Sequence, residues 1–91
     1  MDDRKLGERG QIHVTLAAAQ CYGELRRLAP ETARRELLEL LLDARQTREA
    51  TPTQPAHYRA RSRATQLDVS ATVVREGRLM VVLACNVRQY R

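Results

Sequence analysis

The sequence predicts a one-domain α+β protein, in which a strand and two helices are followed by a C-terminal antiparallel β-hairpin or three-stranded sheet. Three observations predict it. "QIHVTL" (11–16) alternates polar and apolar residues with the two-residue period of a strand. "AAAQCYGELRRLA" and "ETARRELLELLLDAR" carry apolar residues at helical spacing and are separated at Pro30. "LDVSATVV" and "LMVVLACNV" read as strands joined by the turn "REG".

Taken in order, residues 1–10 read as a flexible arm ending at Gly10. In the strand 11–16, Ile12, Val14 and Leu16 face a core, and Gln11, His13 and Thr15 face away. Thr15 also suits a helix cap, and Ala18, Cys21, Tyr22, Leu25 and Leu28 mark the apolar side of the first helix. Gly23 costs that helix about 1 kcal/mol. Pro30 suits the first turn of the second helix, where Glu31–Arg35 and Arg35–Glu39 stand four residues apart.

That second helix carries Leu37, Leu38, Leu40, Leu41, Leu42 and Ala44. Together they cover far more than the stripe of about 100° that a surface helix needs. A helix trapped between two partners requires such a surface. The chain also lacks Phe and Trp, so its own core is small. Both observations predict a homodimer that shares one core.

Residues 11–45 form the strand-helix-helix unit, and 46–57 a linker in which Pro52 and Pro55 block regular structure. Residues 58–91 form a basic β region of the same small domain. There "YRARSR" is expected to be extended, with Arg59, Arg61 and Arg63 on one face. "LDVSATVV" alternates Leu67, Val69, Ala71 and Val73 against polar residues, while "LMVVLACNV" is apolar on both faces and suits a central strand. A three-residue loop pairs Val73 with Leu79, Ala71 with Val81 and Val69 with Leu83. A two-residue loop at Glu76-Gly77 sets Thr72, Ser70 and Asp68 opposite those residues instead, and the three-residue loop is preferred.

The formal net charge is +5, and 15 of the 16 basic residues are Arg. Residues 1–46 are balanced, whereas 47–91 hold eight basic residues against three acidic ones. Clustered arginine on one part of a chain points to a polyanionic partner, nucleic acid above all, or to an acidic protein. Cys21 and Cys85 lie in apolar runs without a CxxC spacing, which predicts buried thiols in a reducing compartment, with disulfide pairing the alternative. The charged stretch "MDDRKLGERG" does not read as a signal segment, so none is expected, and "LMVVLAC" is far shorter than the roughly 20 residues of a membrane span. A cytoplasmic protein without membrane contact is expected.

No phosphate loop, nucleophile elbow or metal-ligand spacing is present, and His13 and His57 stand apart from any ligand set. Neither a metal nor a cofactor is expected, no catalytic residue is assigned, and a metabolic enzyme is not expected.

"GQIHVTL", "AAAQCYGELRRLA" and "ETARRELLELLLDAR" together resemble the ribbon-helix-helix DNA-binding superfamily, over about half the chain. The resemblance implies a dimer whose paired first strands enter the major groove. By position, Gln11, His13 and Thr15 would then contact bases, side chains whose hydrogen bonding suits base edges. Amides of Glu31 to Ala33, around Thr32, would hold a phosphate at a helix N-terminus. Arg59, Arg61 and Arg63 would reach the DNA backbone. The implied role is a small transcription regulator, in a plasmid or toxin–antitoxin setting, with a cognate toxin or antitoxin as protein partner.

Over the whole chain, the order of strand, helical hairpin and returning strands is similar to that of RelE/ParE-like toxins. "LRRLAPETARRELLELLL" resembles their helical hairpin, "YRAR" their first returning strand, and "RLMVVLACNVRQYR" their last strand and basic tail. By position, this resemblance implies that Arg59, Arg61, Arg88 and Tyr90 face mRNA on the ribosome, or gyrase. Ribonuclease activity enters only with this reading. A third reading is a non-catalytic interaction module or inhibitor, a class with no sequence signature.

Overall fold

The computed structural model describes residues 4–90. Eight elements follow one another: α1 (Leu6–Arg9), β1 (Gln11–Val14), α2 (Leu16–Arg26), α3 (Pro30–Leu41), β2 (Arg45–Arg48), β3 (Ala56–Ser62), β4 (Leu67–Glu76) and β5 (Leu79–Gln89). The strands form one mixed sheet in the order β1-β5-β4-β3-β2. β1 runs parallel to β5, and every other pairing is antiparallel. The strand-helix-helix-sheet layout is therefore present, and the returning strands join the first strand in a single sheet.

One face of that sheet carries the core. Tyr58 and Ala60 of β3, Val69, Ala71 and Val73 of β4 and Val82 of β5 pack against Ala18, Ala19 and Tyr22 of α2 and Ala33, Leu37 and Leu41 of α3. The alanines let α2 lie close to the sheet. Gly23 has the same purpose between helices: a Cβ there would meet Ala33 Cβ and Leu28 O, both at 3.1 Å. The broad apolar surface of α3 is met within one chain, because α2 covers one side and the sheet the other. Leu37 and Leu41 are buried, Leu38 and Leu40 are half-buried, and only Leu42 of that run stands exposed. The helix is trapped between two partners as its pattern requires, but both belong to its own chain.

Thr15 ends β1 and starts α2. Its hydroxyl accepts from Ala18 N at 3.3 Å and donates to Val82 O at 2.8 Å. The strand thus stops at Val14 rather than at 16, and Leu16, expected in the core, opens the helix and is 55% exposed. α2 ends where Arg27 turns left-handed, with φ 56°. Ala29 is extended, as residues before proline prefer to be, and Pro30 opens α3. An ion pair between Arg26 and Glu36 at 3.2 Å joins the two helices. The buried Tyr22 hydroxyl beside it is pushed up to about 12, first by burial and then by the Glu36 charge and hydrogen bond.

Several expectations need correction. The expected arm is docked from residue 4 onward: Leu6 is buried, and Leu6 N and Gly7 N donate to Ala44 O and Leu42 O at 2.9 and 3.1 Å. The guanidinium of Arg9 donates to the Tyr58 hydroxyl and stands over its ring. Residues 1–3 of that arm, and Arg91 at the end of the basic β region, lie outside the described residues. The linker is shorter than 46–57, because β2 occupies its start and β3 begins at Ala56. Pro52 and Pro55 do lie in the loop that remains. Cys21 is exposed and Cys85 half-buried, so they are not the buried thiols expected.

The hairpin register also differs from both expectations. Glu76 pairs with Leu79 across Gly77-Arg78, which brings Val73 opposite Val82. Gly77 supplies the turn with φ +60°, a region open to glycine at little cost. The register then shifts between Thr72 and Val73, leaving Leu83 as the extra residue of a bulge. Beyond it, Cys85 and Val87 take over the core side of β5 from Met80 and Val82.

Candidate nucleic-acid interface

The two long helices, α2 and α3, lie on one face of the sheet, so the other face is left open, and the strand register shows what it carries. Three rows cross it. Arg61, Asp68 and Arg88 face one another in the first row, Arg59, Ser70 and Asn86 in the second, and His57, Thr72 and Ala84 in the third. β2 extends the second row with Arg45 and the third with Arg48. The middle of this face is a shallow trough of about 250 Å³ floored by Ser70, Thr72, Ala84 and Asn86, with His57 at its side. Small floor residues leave room for a ligand, and arginines rim it.

Asp68 organises the rim. It is 7% exposed. Arg59 grips it at two points, through Nε to Oδ1 at 2.8 Å and through Nη2 to Oδ2. Arg61 Nε lies 3.6 Å from the same Oδ2. The hydrogen bonds from Arg59, with the charges of Arg59, Arg61 and Arg88, hold the Asp68 carboxyl below the usual carboxylate range against the opposing effect of burial. Three guanidinium groups thus surround one carboxylate and leave net positive charge on the face. The Arg61 guanidinium also stands 5.2 Å from the centre of the Tyr90 ring. Tyr90 is fixed in turn, by its hydroxyl donating to Ser62 O at 3.2 Å and its amide to Gln66 O at 2.8 Å.

On the third row, Arg48 Nη2 lies 2.9 Å from Pro55 O and 3.1 Å from His57 Nε2. Arginine only donates, so as a hydrogen bond this contact has His57 Nε2 as its acceptor.

The residues singled out from sequence fall into separate groups. Arg59, Arg61, Arg88 and Tyr90 come together at one end of the open face. Arg63 does not join them, because β3 ends at Ser62 and Arg63 lies in the following turn. Gln11 and His13 are exposed on β1. Thr15 is less exposed than they are, and its hydroxyl caps α2 and bonds to β5. Thr32 is exposed in the first turn of α3, in the helical layer behind the sheet.

Asp68, Ser70, Asn86, Arg45 and Arg48 were not picked out from sequence. Asp68 did leave a signal, as one of only two acidic residues between "YRARSR" and "VRQYR" and the one on the polar phase of "LDVSATVV". The trough residues left none, since Ser and Asn on a strand's polar phase ordinarily face water.

A larger cleft, of about 390 Å³, lies between α3 and the β3–β4 turn. Glu36, Glu39 and Asp43 outnumber Arg61 in its lining, so it is less favourable to an anion than the open face is. Among the described residues no group of His, Cys, Asp and Glu is placed to hold a metal ion, and no helix is long and apolar enough to cross a membrane. No protein-family model, no curated protein and no solved structure matches the chain.

Proposed function

We propose that the protein binds single-stranded nucleic acid, RNA foremost, on the open face of its sheet, in the manner implied by its resemblance to RelE/ParE-like toxins. The observation that carries this reading is the gathering of Arg59, Arg61 and Arg88 around Asp68. A carboxylate that binds two arginines fixes their guanidinium planes, so less side-chain freedom is lost when they meet phosphates. The Tyr90 ring offers a stacking surface beside them, and the trough supplies hydroxyl and amide groups for exposed base edges. An unstacked strand can use all three features, whereas a rigid duplex cannot fold its bases into a shallow trough. The proposal concerns binding. An mRNA on the ribosome is the target class that the resemblance implies, with a cognate antitoxin as protein partner.

The test is fluorescence anisotropy with a labelled single-stranded RNA and a duplex DNA of equal length, across salt concentrations. The single strand binds more tightly, and Arg61→Ala with Arg88→Ala removes most of that binding. Equal binding of both nucleic acids, unchanged by the two substitutions, contradicts the proposal.

A second reading is favoured by β1, an edge strand that exposes Gln11 and His13. Among the described residues it has no strand on its far side. Two copies paired there would form a homodimer presenting those side chains to an operator, as in a ribbon-type regulator. Light scattering with and without duplex DNA separates the readings, because this one requires two chains and the first requires one.

A further inference from the structure

We propose that Cys21 and Cys85 are a reversible thiol–disulfide pair that, when oxidised, ties α2 to β5. The cysteines are 64 positions apart in the chain, yet each thiol rests on the backbone beside the other. Cys21 Sγ donates to Cys85 O at 3.3 Å, and Cys85 Sγ donates to Ala18 O at 3.5 Å. Ala18 lies one helical turn before Cys21, so Cys85 is directed at the helix face from which Cys21 projects. The close approach of the two elements follows from the small residues Ala18 and Ala19 at their contact.

The two thiols differ in a way that orders the chemistry. Cys21 is exposed, at the rim of a groove of about 360 Å³ with Glu24, Leu25, Asn86 and Val87. It is the one a hydroperoxide reaches. Cys85 is half-buried, and its thiol is pushed up to about 12, first by burial and then by the neighbouring Cys21 thiol. It keeps its proton and reacts second.

In the first step the Cys21 thiolate attacks one peroxide oxygen, the O–O bond breaks, and the departing hydroxide takes a proton to leave as water. Cys21 is now a sulfenic acid. The Cys85 sulfur then attacks the Cys21 sulfur, the S–O bond breaks, and the hydroxyl leaves as a second water with the Cys85 proton. Peroxide is reduced by two electrons and the thiol pair is oxidised by two. A low-molecular-mass thiol such as dithiothreitol reverses the bond by exchange.

The experiment treats the purified, reduced chain with a small excess of hydrogen peroxide and reads intact mass and alkylation by iodoacetamide. The pair predicts the loss of two hydrogens (about 2 Da), one cross-linked peptide joining Cys21 to Cys85, protection of both thiols, and recovery on reduction. Closing so long a loop also raises Tm by on the order of 10 °C. Cys85→Ser leaves Cys21 as a sulfenic or sulfinic acid, and Cys21→Ser leaves Cys85 unreacted over the same time. Wild-type protein that instead gains oxygen at Cys21 with Cys85 still alkylatable, or that forms only Cys21–Cys21 dimers, overturns the proposal. Neither of these results depends on a variant folding.

Discussion

Arg59 of β3 reaches diagonally, from one row to the next, to Asp68 of β4 and is joined to it at two points, and this pair sets the character of the open sheet face. Without the carboxylate on β4, the like charges of Arg59 and Arg61 on β3 and Arg88 on β5 would repel and their side chains would spread into solvent. With it, one buried acid holds two bases in place and lies beside a third.

Replacing Asp68 tests that arrangement through stability. Asp68→Asn removes a carboxylate that accepts charged hydrogen bonds, and a loss of about 1.5–3 kcal/mol is expected from denaturant midpoints at pH 7. Burial of the amide in a pocket built for two guanidinium groups sets the direction.

The same pair sets an acid response. Asp68 is held below its unfolded value, near 3.9. Its stabilising contribution is therefore complete above that value and disappears as pH falls through the lower folded one. Urea midpoints followed from pH 7 to pH 2 should converge for wild type and Asp68→Asn at the acid end. Parallel curves would show that Asp68 plays no part in the acid response.

On the ligand side, Arg61→Ala and Arg88→Ala should each weaken RNA binding roughly tenfold, about 1.4 kcal/mol. Each should also flatten the dependence of log K on log salt by roughly 0.7, the counterion share of one single-strand phosphate contact. Circular dichroism should stay unchanged, since both side chains lie at the surface.

Two substitutions report on the frame. Thr15→Ala removes the cap of α2 and a bond to Val82 O, with an expected cost of about 0.5–2 kcal/mol. Gly23→Ala pushes a methyl against Ala33 Cβ and Leu28 O, neither of them the end of a flexible side chain. Overpacking of about 1–3 kcal/mol should outweigh the helix propensity gained. A more stable Gly23→Ala protein would show that the helices separate more easily than their contact suggests.

Much of the fold was legible because it is written in local patterns. Alternation in "QIHVTL" and "LDVSATVV" marked two strands and, apart from Leu16, their inward residues, and the proline at 30 marked the start of α3. What stayed hidden is long-range or lies where the pattern is degenerate. "LMVVLAC" is apolar in both phases, so it conceals the bulge at Leu83 and leaves the register to Gly77-Arg78. The parallel pairing of β1 with β5 joins residues nearly 70 positions apart and has no local signal. Leu6 is a single apolar residue among charges, which reads as an arm until Ala44 O accepts from its amide and Leu42 O from that of Gly7. The arginines of the open face were visible as a charge cluster. Their meeting at Asp68 depends on strand register and was not.

The most direct test of the interface is amide chemical-shift mapping by NMR as a short single-stranded RNA is added. The account predicts that the largest changes fall on Arg59, Arg61, Ser70, Asn86, Arg88 and Tyr90, and that the helical layer changes little. Changes concentrated on Gln11 and His13, or on the first turn of α3 around Thr32, would contradict it and place the binding surface elsewhere.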